Sequence, residues 1–285
     1  MKKNAVFFVL LFVCFVHAQE HQSPIHVEVS GQGAPVLFIP GFTVPGSSWQ
    51  PVVQQLEKAY ECHVVTLAGF GGKEPIAFPW LPKVNEALEN YIAEHQLNNV
   101  TIIGHSLGGT IATWLASRED NTVKALILVD ALPATGALMF PNFDPDNLSY
   151  DSPYNNQQLA MANTQFEQMA MGMAQGMSLD TAAQSKIKEW ILLADRKTYV
   201  YGYTDYLKLD LREALKKINI PVTILAADKP YGKDMATQTF KAQYANLSNY
   251  ELVMAENAAH FVMFDQPEWF MEQIQRVLQA NQLTK

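Results

Sequence analysis

The segment from Val100 to Ser117 constrains the fold most, because it joins a strand pattern to a helix pattern with almost nothing between them. Val100–Ile103 is a short apolar run of the kind found in buried strands. It passes through Gly104-His105-Ser106-Leu107-Gly108 directly into a helical stretch. Glycines two positions before and after Ser106 permit a sharp turn in which larger side chains would collide. The spacing predicts a strained strand-to-helix turn that presents the Ser106 hydroxyl as a nucleophile.

Short apolar runs alternate with helix-length amphipathic segments along most of the chain. This alternation favours the α/β class, with a mainly parallel, doubly wound sheet that is covered by helices on both faces. The predicted strands are Ile25–Val29 at an edge, Val36–Ile39, His63–Leu67, Val100–Ile103, Ala125–Val129 and Val222–Ala226. The predicted helices lie near residues 48–59, 82–96, 107–118 and 267–280.

The alternation stops at about residues 132–217, where helical stretches follow one another without a strand pattern between them. We interpret this region as a helical cap inserted into a single domain; with 285 residues, 48% of them hydrophobic, the chain can bury one sizeable core. Unbranched methionines adapt to apolar ligands of varied shape, but ordinary packing of the cap onto the domain would account for them equally well. The methionines concerned are Met161, Met169, Met171, Met173 and Met177.

The first 18 residues have the order of a secretory signal peptide. Lys2 and Lys3 precede an unbroken apolar run from Ala5 to Val16, and the small residue Ala18 follows. A membrane anchor is the alternative, but a helix of this length rises about 18 Å against a hydrocarbon core of about 30 Å. We therefore expect cleavage after Ala18, a mature domain of residues 19–285 without a membrane span, and export to a bacterial periplasm or the medium.

The cysteine content agrees with such an address. Removal of the signal peptide takes away Cys14 and leaves Cys62 alone, so the mature chain could form no intramolecular disulfide. Cys62 stands in a short apolar strand pattern, which indicates a buried, unreactive thiol.

Charge and histidine spacing exclude several classes of partner. The formal net charge is −8 and the isoelectric point about 5.4, so no basic surface field is available to attract nucleic acid or anionic lipid. No two histidines have the spacing of metal ligands, and we expect neither a metal nor another cofactor.

With its Gly-x-Ser-x-Gly turn in this setting, the chain resembles the α/β-hydrolase family over nearly the whole mature sequence. The resemblance implies that Ile39-Pro40-Gly41-Phe42-Thr43 is the oxyanion loop, with Pro40 in place of the usual histidine. The backbone N–H groups of Phe42 and Leu107 would then form the oxyanion hole. It also implies that His260, in a late loop before the last helix, is the general base.

The acidic partner of His260 departs from the usual family pattern. The slot after the strand at 221–226 falls on Pro230, with Asp228 two residues before it and Asp234 four after. Haloalkane dehalogenases offer another arrangement, in which the acid follows the preceding strand; Asp130 stands at that place. An aspartate there can also merely cap the strand. Asp130 is our first choice, Asp228 the alternative and Asp234 the third candidate, because a triad is defined by geometry.

These residues predict a serine hydrolase that cleaves a carboxylic ester or a related acyl bond of a small, apolar substrate through an acyl-Ser106 intermediate. A serine at the turn argues against epoxide hydrolase and dehalogenase chemistry, which need a carboxylate there. Lactones, amides and carbon–carbon bonds stay open as substrates. The alternative hypothesis is a catalytically silent member of the family that binds a ligand beneath its cap.

Overall fold

A computed structural model describes residues 22–140, 142 and 144–283, so the predicted signal peptide lies outside the described residues. Within that part of the chain one sheet has the strand order β1-β3-β2-β4-β5-β6-β7. Strand β1 pairs with β3 in the antiparallel sense, and all other neighbours are parallel. The strands are β1 (Ile25–Gly31), β2 (Ala34–Ile39), β3 (Tyr60–Leu67), β4 (Val100–His105), β5 (Val123–Val129), β6 (Val222–Ala227) and β7 (Tyr250–Ala255).

The predicted α/β class is confirmed, and each predicted strand is present. Strand β7 was not predicted. Its sequence, Tyr-Glu-Leu-Val-Met-Ala, alternates weakly, and most of its residues are only half-buried at the sheet edge. A strand at an edge gains less from burial, so its apolar pattern is weaker than that of the central strands.

Helices cover the two faces of the sheet. They are α1 (Gln50–Leu56), α2 (Trp80–Glu94), α3 (Leu107–Ala116), α4 (Thr135–Met139), α5 (Pro153–Ala160), α6 (Asn163–Met177), α7 (Thr181–Leu193), α8 (Tyr203–Lys208), α9 (Lys233–Gln243), α10 (Val262–Asp265) and α11 (Pro267–Leu283). None of the helices in the described ranges is both long and apolar enough to cross a membrane.

The core is divided by the sheet because successive strand residues point to opposite faces. In β2, Leu37 and Ile39 belong to the buried cluster that includes residues of α2, α3 and α9, whereas Val36 and Phe38 belong to the cluster that includes residues of α1 and α11. The near-continuous apolar runs of the central strands follow from this, since both of their faces are buried.

Helices α4 to α8 all lie between β5 and β6, and we call residues 132–217 the helical insertion. A hydrogen-bonded contact ties it to the main domain. Asp205 of α8 accepts hydrogen bonds from the backbone N–H groups of Trp80 (2.6 Å) and Leu81 (3.1 Å) at the start of α2, where the N-cap residue Pro79 supplies no side-chain cap. Tyr150 donates its hydroxyl to the same carboxylate. An acid at a helix N-terminus satisfies free N–H groups and the helix dipole, so α8 is fixed firmly against α2.

Candidate active site

Ser106 occupies the turn between β4 and α3 in a strained backbone conformation. Its φ is 53° and its ψ is −122°, a region that residues with a side chain rarely adopt. Only glycine fits at the flanking positions 104 and 108, because neighbouring backbone atoms leave no room for a side chain. A Cβ at Gly104 would lie 2.4 Å from the Gly108 carbonyl oxygen, and one at Gly108 would lie 2.2 Å from the Ile39 carbonyl oxygen.

Strands β4, β5 and β7 bring Ser106, Asp130 and His260 to one edge of the sheet. The N–H of Ser106 donates to Val129 of β5, and the N–H of Asp130 donates to Leu225 of β6, so each residue follows directly on its strand. His260 comes shortly after β7. The carboxyl ends of parallel strands share an edge, and all three side chains line one cavity there.

Asp130 holds the ring of His260. Its Oδ2 lies 2.7 Å from His260 Nδ1, and its Oδ1 accepts a hydrogen bond of 2.9 Å from the Ala227 N–H. The backbone of Asp130 has a φ of 44°, which aspartate tolerates better than most residues. Both carboxylate oxygens are therefore used, and the orientation of the imidazole is fixed.

Asp228 and Asp234 have other surroundings. Asp228 is 7% exposed and accepts a hydrogen bond of 3.1 Å from the Ala258 N–H, while Lys229 Nζ lies 3.2 Å away. Burial raises the pKa of Asp228, but the backbone N–H groups of Ala258 and Asn257 and the Lys229 ammonium together bring it below its ordinary value. Asp234 is exposed in the first turn of α9. Asp228 thus supports the loop that carries His260, whereas Asp130 is the aspartate that binds the His260 ring.

Asp265 supports the same loop from the other side. Its Oδ2 accepts from the Ala259 N–H at 2.7 Å, and its Oδ1 accepts from the Ser178 hydroxyl (2.6 Å) and the Leu179 N–H (2.9 Å) of the helical insertion. Sequence reasoning missed this residue. Its available signal was an acid that comes five residues after His260, in the short helix α10.

His105 lies beside His260, with the two ring centroids 4.7 Å apart. Its Nε2 is 2.9 Å from the His260 carbonyl oxygen; since a carbonyl only accepts, Nε2 carries the proton. Within the described residues His105 Nδ1 is buried without a hydrogen-bond partner. Burial lowers the pKa of His105 well below its ordinary value of 6.5, and the nearby His260 lowers it further. His105 is therefore a neutral donor that positions the His260 backbone.

The loop after β2 lies against the serine turn. A Cβ at Gly41 would lie 3.3 Å from Ser106 Cβ, so the loop backbone passes close to this serine. The ring of the next residue, Phe42, packs edge-on against the ring of Phe70, with the two ring centroids 4.8 Å apart. Leu107 opens α3, where the first N–H groups have no carbonyl partner within the helix.

The cavity has a volume of about 1180 Å³ and is walled on one side by the helical insertion. Of the methionines singled out in the sequence, Met169, Met173 and Met177 line it, while Met171 is 41% exposed. Among the described residues no cluster of three or more His, Cys, Asp or Glu side chains could hold a metal ion. Cys62 lies elsewhere, buried in β3, and burial raises its pKa to about 11.

The fold and the site together define the class of protein. The sequence profile of the alpha/beta hydrolase family matches residues 36–273, and the chain belongs to this family.

Known relatives are named esterases. The chain is 25% identical over 257 residues to pimeloyl-[acyl-carrier protein] methyl ester esterase of Vibrio cholerae, covering 88% of this chain and 96% of that protein. It is 30% identical over 209 residues to the protein of the same name from Shewanella oneidensis, covering 70% and 74% of the two chains. The structure of an esterase from Exiguobacterium antarcticum superposes with a TM-score of 0.73 at 20% identity, covering 90% of this chain and 95% of that one, and it shows the common fold.

The low pKa of His105 makes stability depend on pH. Below about pH 6.5 the unfolded state binds a proton that the folded state excludes, so the free energy of unfolding falls as the pH falls, by up to about 1.4 kcal/mol per pH unit. We expect His105→Gln, which keeps an N–H donor but does not titrate, to have a shallower slope between about pH 7 and pH 5 in chemical denaturation. His95→Gln, which replaces an exposed histidine, is the control and should keep the wild-type slope. If His105→Gln also keeps the wild-type slope, His105 is not the source of this pH dependence.

Proposed function

We propose that this protein hydrolyses carboxylic esters through an acyl-enzyme on Ser106, with His260 as general base and Asp130 as the acid of the triad. The observation that carries the proposal is the 2.7 Å hydrogen bond between Asp130 and His260 Nδ1, in the same cavity as the strained Ser106. It counts against a silent binding protein, because the unusual position of the acid still gives an oriented imidazole.

In this proposal each residue has its own role. His260 Nδ1–H donates a hydrogen bond to Asp130, so Nε2 is the basic nitrogen and accepts the Ser106 proton. Ser106 Oγ attacks the ester carbon, and the backbone N–H groups of Phe42 and Leu107 stabilise the resulting oxyanion. His260 then protonates the departing alcohol. Water attacks the acyl-enzyme with His260 again as base, and the carboxylic acid leaves.

The cavity favours neutral, apolar substrates. Among the described residues that line it, the one lysine or arginine is Lys229, whose ammonium is paired with Asp228 at 3.2 Å. No free cation is thus left among the described lining residues to bind a carboxylate of the substrate, whereas Met169, Met173 and Met177 offer adaptable apolar contact. The relatives are named methyl ester esterases, which agrees with a small alcohol as the leaving group. The helical insertion acts in this proposal as a cap that selects the acyl group.

Ser106→Ala tests the nucleophile. We expect wild-type protein to hydrolyse p-nitrophenyl esters of several chain lengths and to be labelled once by a fluorophosphonate, as intact mass spectrometry would show. The variant should lose labelling and at least about a thousandfold in kcat, because no acyl-enzyme can form. A wild-type protein that neither turns over nor reacts with the probe would refute the proposal.

Asp130→Asn and Asp228→Asn separate the two candidate acids. Asp130→Asn should lower kcat by a factor on the order of 10³ to 10⁴, because the imidazole loses the carboxylate that fixes its tautomer. Asp228→Asn should lower kcat less than about tenfold but reduce the free energy of unfolding by about 1–3 kcal/mol, because the loop loses a buried charged acceptor. The reverse order of the two kcat values would assign the acid to Asp228.

We propose export on the evidence of residues 1–18, with cleavage after Ala18. Expressed at full length in a Gram-negative host, the protein should be recovered from the periplasm with Gln19 as its first residue. A variant without residues 2–18 should stay in the cytoplasm with the same specific activity. Full-length protein that stays in the cytoplasm with its original N-terminus would contradict export.

A further inference from the structure

Tyr206 of α8 brings a phenol from the helical insertion to the nucleophile. The residue is 5% exposed, and it lines the cavity together with Ser106. Its hydroxyl lies 2.7 Å from Thr135 Oγ1 and 3.5 Å from Thr110 Oγ1. Ser106 is a further side-chain hydrogen-bond partner of the same hydroxyl. The Tyr206 hydroxyl therefore has three hydroxyl partners, and the hydroxyl of Ser106 is one of them.

The hydrogen-bond directions at this cluster can be assigned. Thr110 donates a hydrogen bond to the Leu132 carbonyl oxygen at 2.8 Å, and toward the Tyr206 hydroxyl oxygen at 3.5 Å it is again the donor. Thr135 is close enough to donate to the phenolic oxygen. The proton of Tyr206 is then available to Ser106, while the proton of Ser106 is available to His260.

The phenol keeps its proton at neutral pH. Burial raises the pKa of Tyr206 above its ordinary value of 10.0, and its side-chain hydrogen bonds with Thr110, Thr135 and Ser106 oppose this only in part. Nearby Asp130 raises the pKa as well. Tyr206 is therefore a neutral hydrogen-bond donor that cannot act as a base toward Ser106.

The position of Tyr206 is fixed by the residue before it. Asp205 binds the first N–H groups of α2 at Trp80 and Leu81, which attaches α8 to the main domain next to the site. The phenol is thus preorganised, and a preorganised donor loses little free energy to reorientation when charge develops on its acceptor.

We propose that Tyr206 is a further catalytic residue, which donates a hydrogen bond to Ser106 Oγ when this oxygen leaves the acyl-enzyme. The inference rests on the proposed ester hydrolysis and adds a residue to it. In deacylation, water gives its proton to His260 Nε2 and forms a bond to the acyl carbon. The bond from that carbon to Ser106 Oγ then breaks, the oxygen takes the bonding electrons, and His260 returns the proton to it. Tyr206 stabilises the negative charge on the oxygen in between and keeps its own proton throughout.

The test is burst kinetics with p-nitrophenyl butyrate, in wild-type protein and Tyr206→Phe. We expect the variant to release about one nitrophenolate per active site in the burst and then to deacylate about tenfold more slowly, because a donor to a developing anion is lost. The butyryl-enzyme should accumulate and appear as an acyl mass adduct in intact mass spectrometry. A merely structural role would reduce the burst amplitude and leave the deacylation rate constant unchanged.

Tyr244→Phe is the matched control, because it also removes a buried hydroxyl, one that donates to the Ala131 carbonyl oxygen at 2.9 Å outside the cavity lining. It should lower Tm but keep the wild-type deacylation constant. Thr135→Val leaves the phenol in place without its donor, and we expect a smaller decrease of the deacylation constant than in Tyr206→Phe. This second variant serves if Tyr206→Phe does not fold.

The outcomes separate the two proposals. Wild-type deacylation in Tyr206→Phe, or in Thr135→Val where the first variant does not fold, would overturn the role of Tyr206 and leave ester hydrolysis standing. A wild-type protein without burst or fluorophosphonate labelling would overturn the proposed function itself, and this role with it.

Discussion

The close approach of α3 to the end of β2 is the constraint on which the site depends. Gly108 lies against the Ile39 carbonyl, and Gly104 lies against Gly108, so β4 and α3 can meet only through a turn without side chains at these positions. The residue between them is forced into a left-handed conformation, and its side chain projects from the edge of the sheet. Packing of the core thereby maintains the strain at Ser106, and the loop after β2 is brought beside it by the same contact.

Features that arise from local patterns could be read from the sequence. The central strands are buried on both faces and have continuous apolar runs, and the serine turn has its glycines at fixed spacing. Strand β7 could not be found in this way, because its residues at the sheet edge carry a weak pattern. The sequence also led correctly to the family, whose members share the order of strand, turn and helix around the serine.

Features that depend on which strand ends lie together in space were harder to predict from the sequence. Asp130, Asp228 and Asp234 are all acids near strand ends, and only the pairing of β5 with β6 shows which of them is beside the His260 ring. The role of His105 depends on a carbonyl 155 residues away. Tyr206 is one of several aromatic residues on helices of the insertion, so spacing alone could not single it out.

The carboxylate of Asp265 joins two parts of the chain that lie far apart in the sequence. One oxygen holds the loop of His260 through Ala259, and the other holds the end of α6 and the residues after it through Ser178 and Leu179. A lineage that exchanged the insertion for one of another length would break the second contact and leave half of that carboxylate without partners. Exchange of the helices in the insertion is therefore coupled, at this junction, to the position of the loop that carries His260.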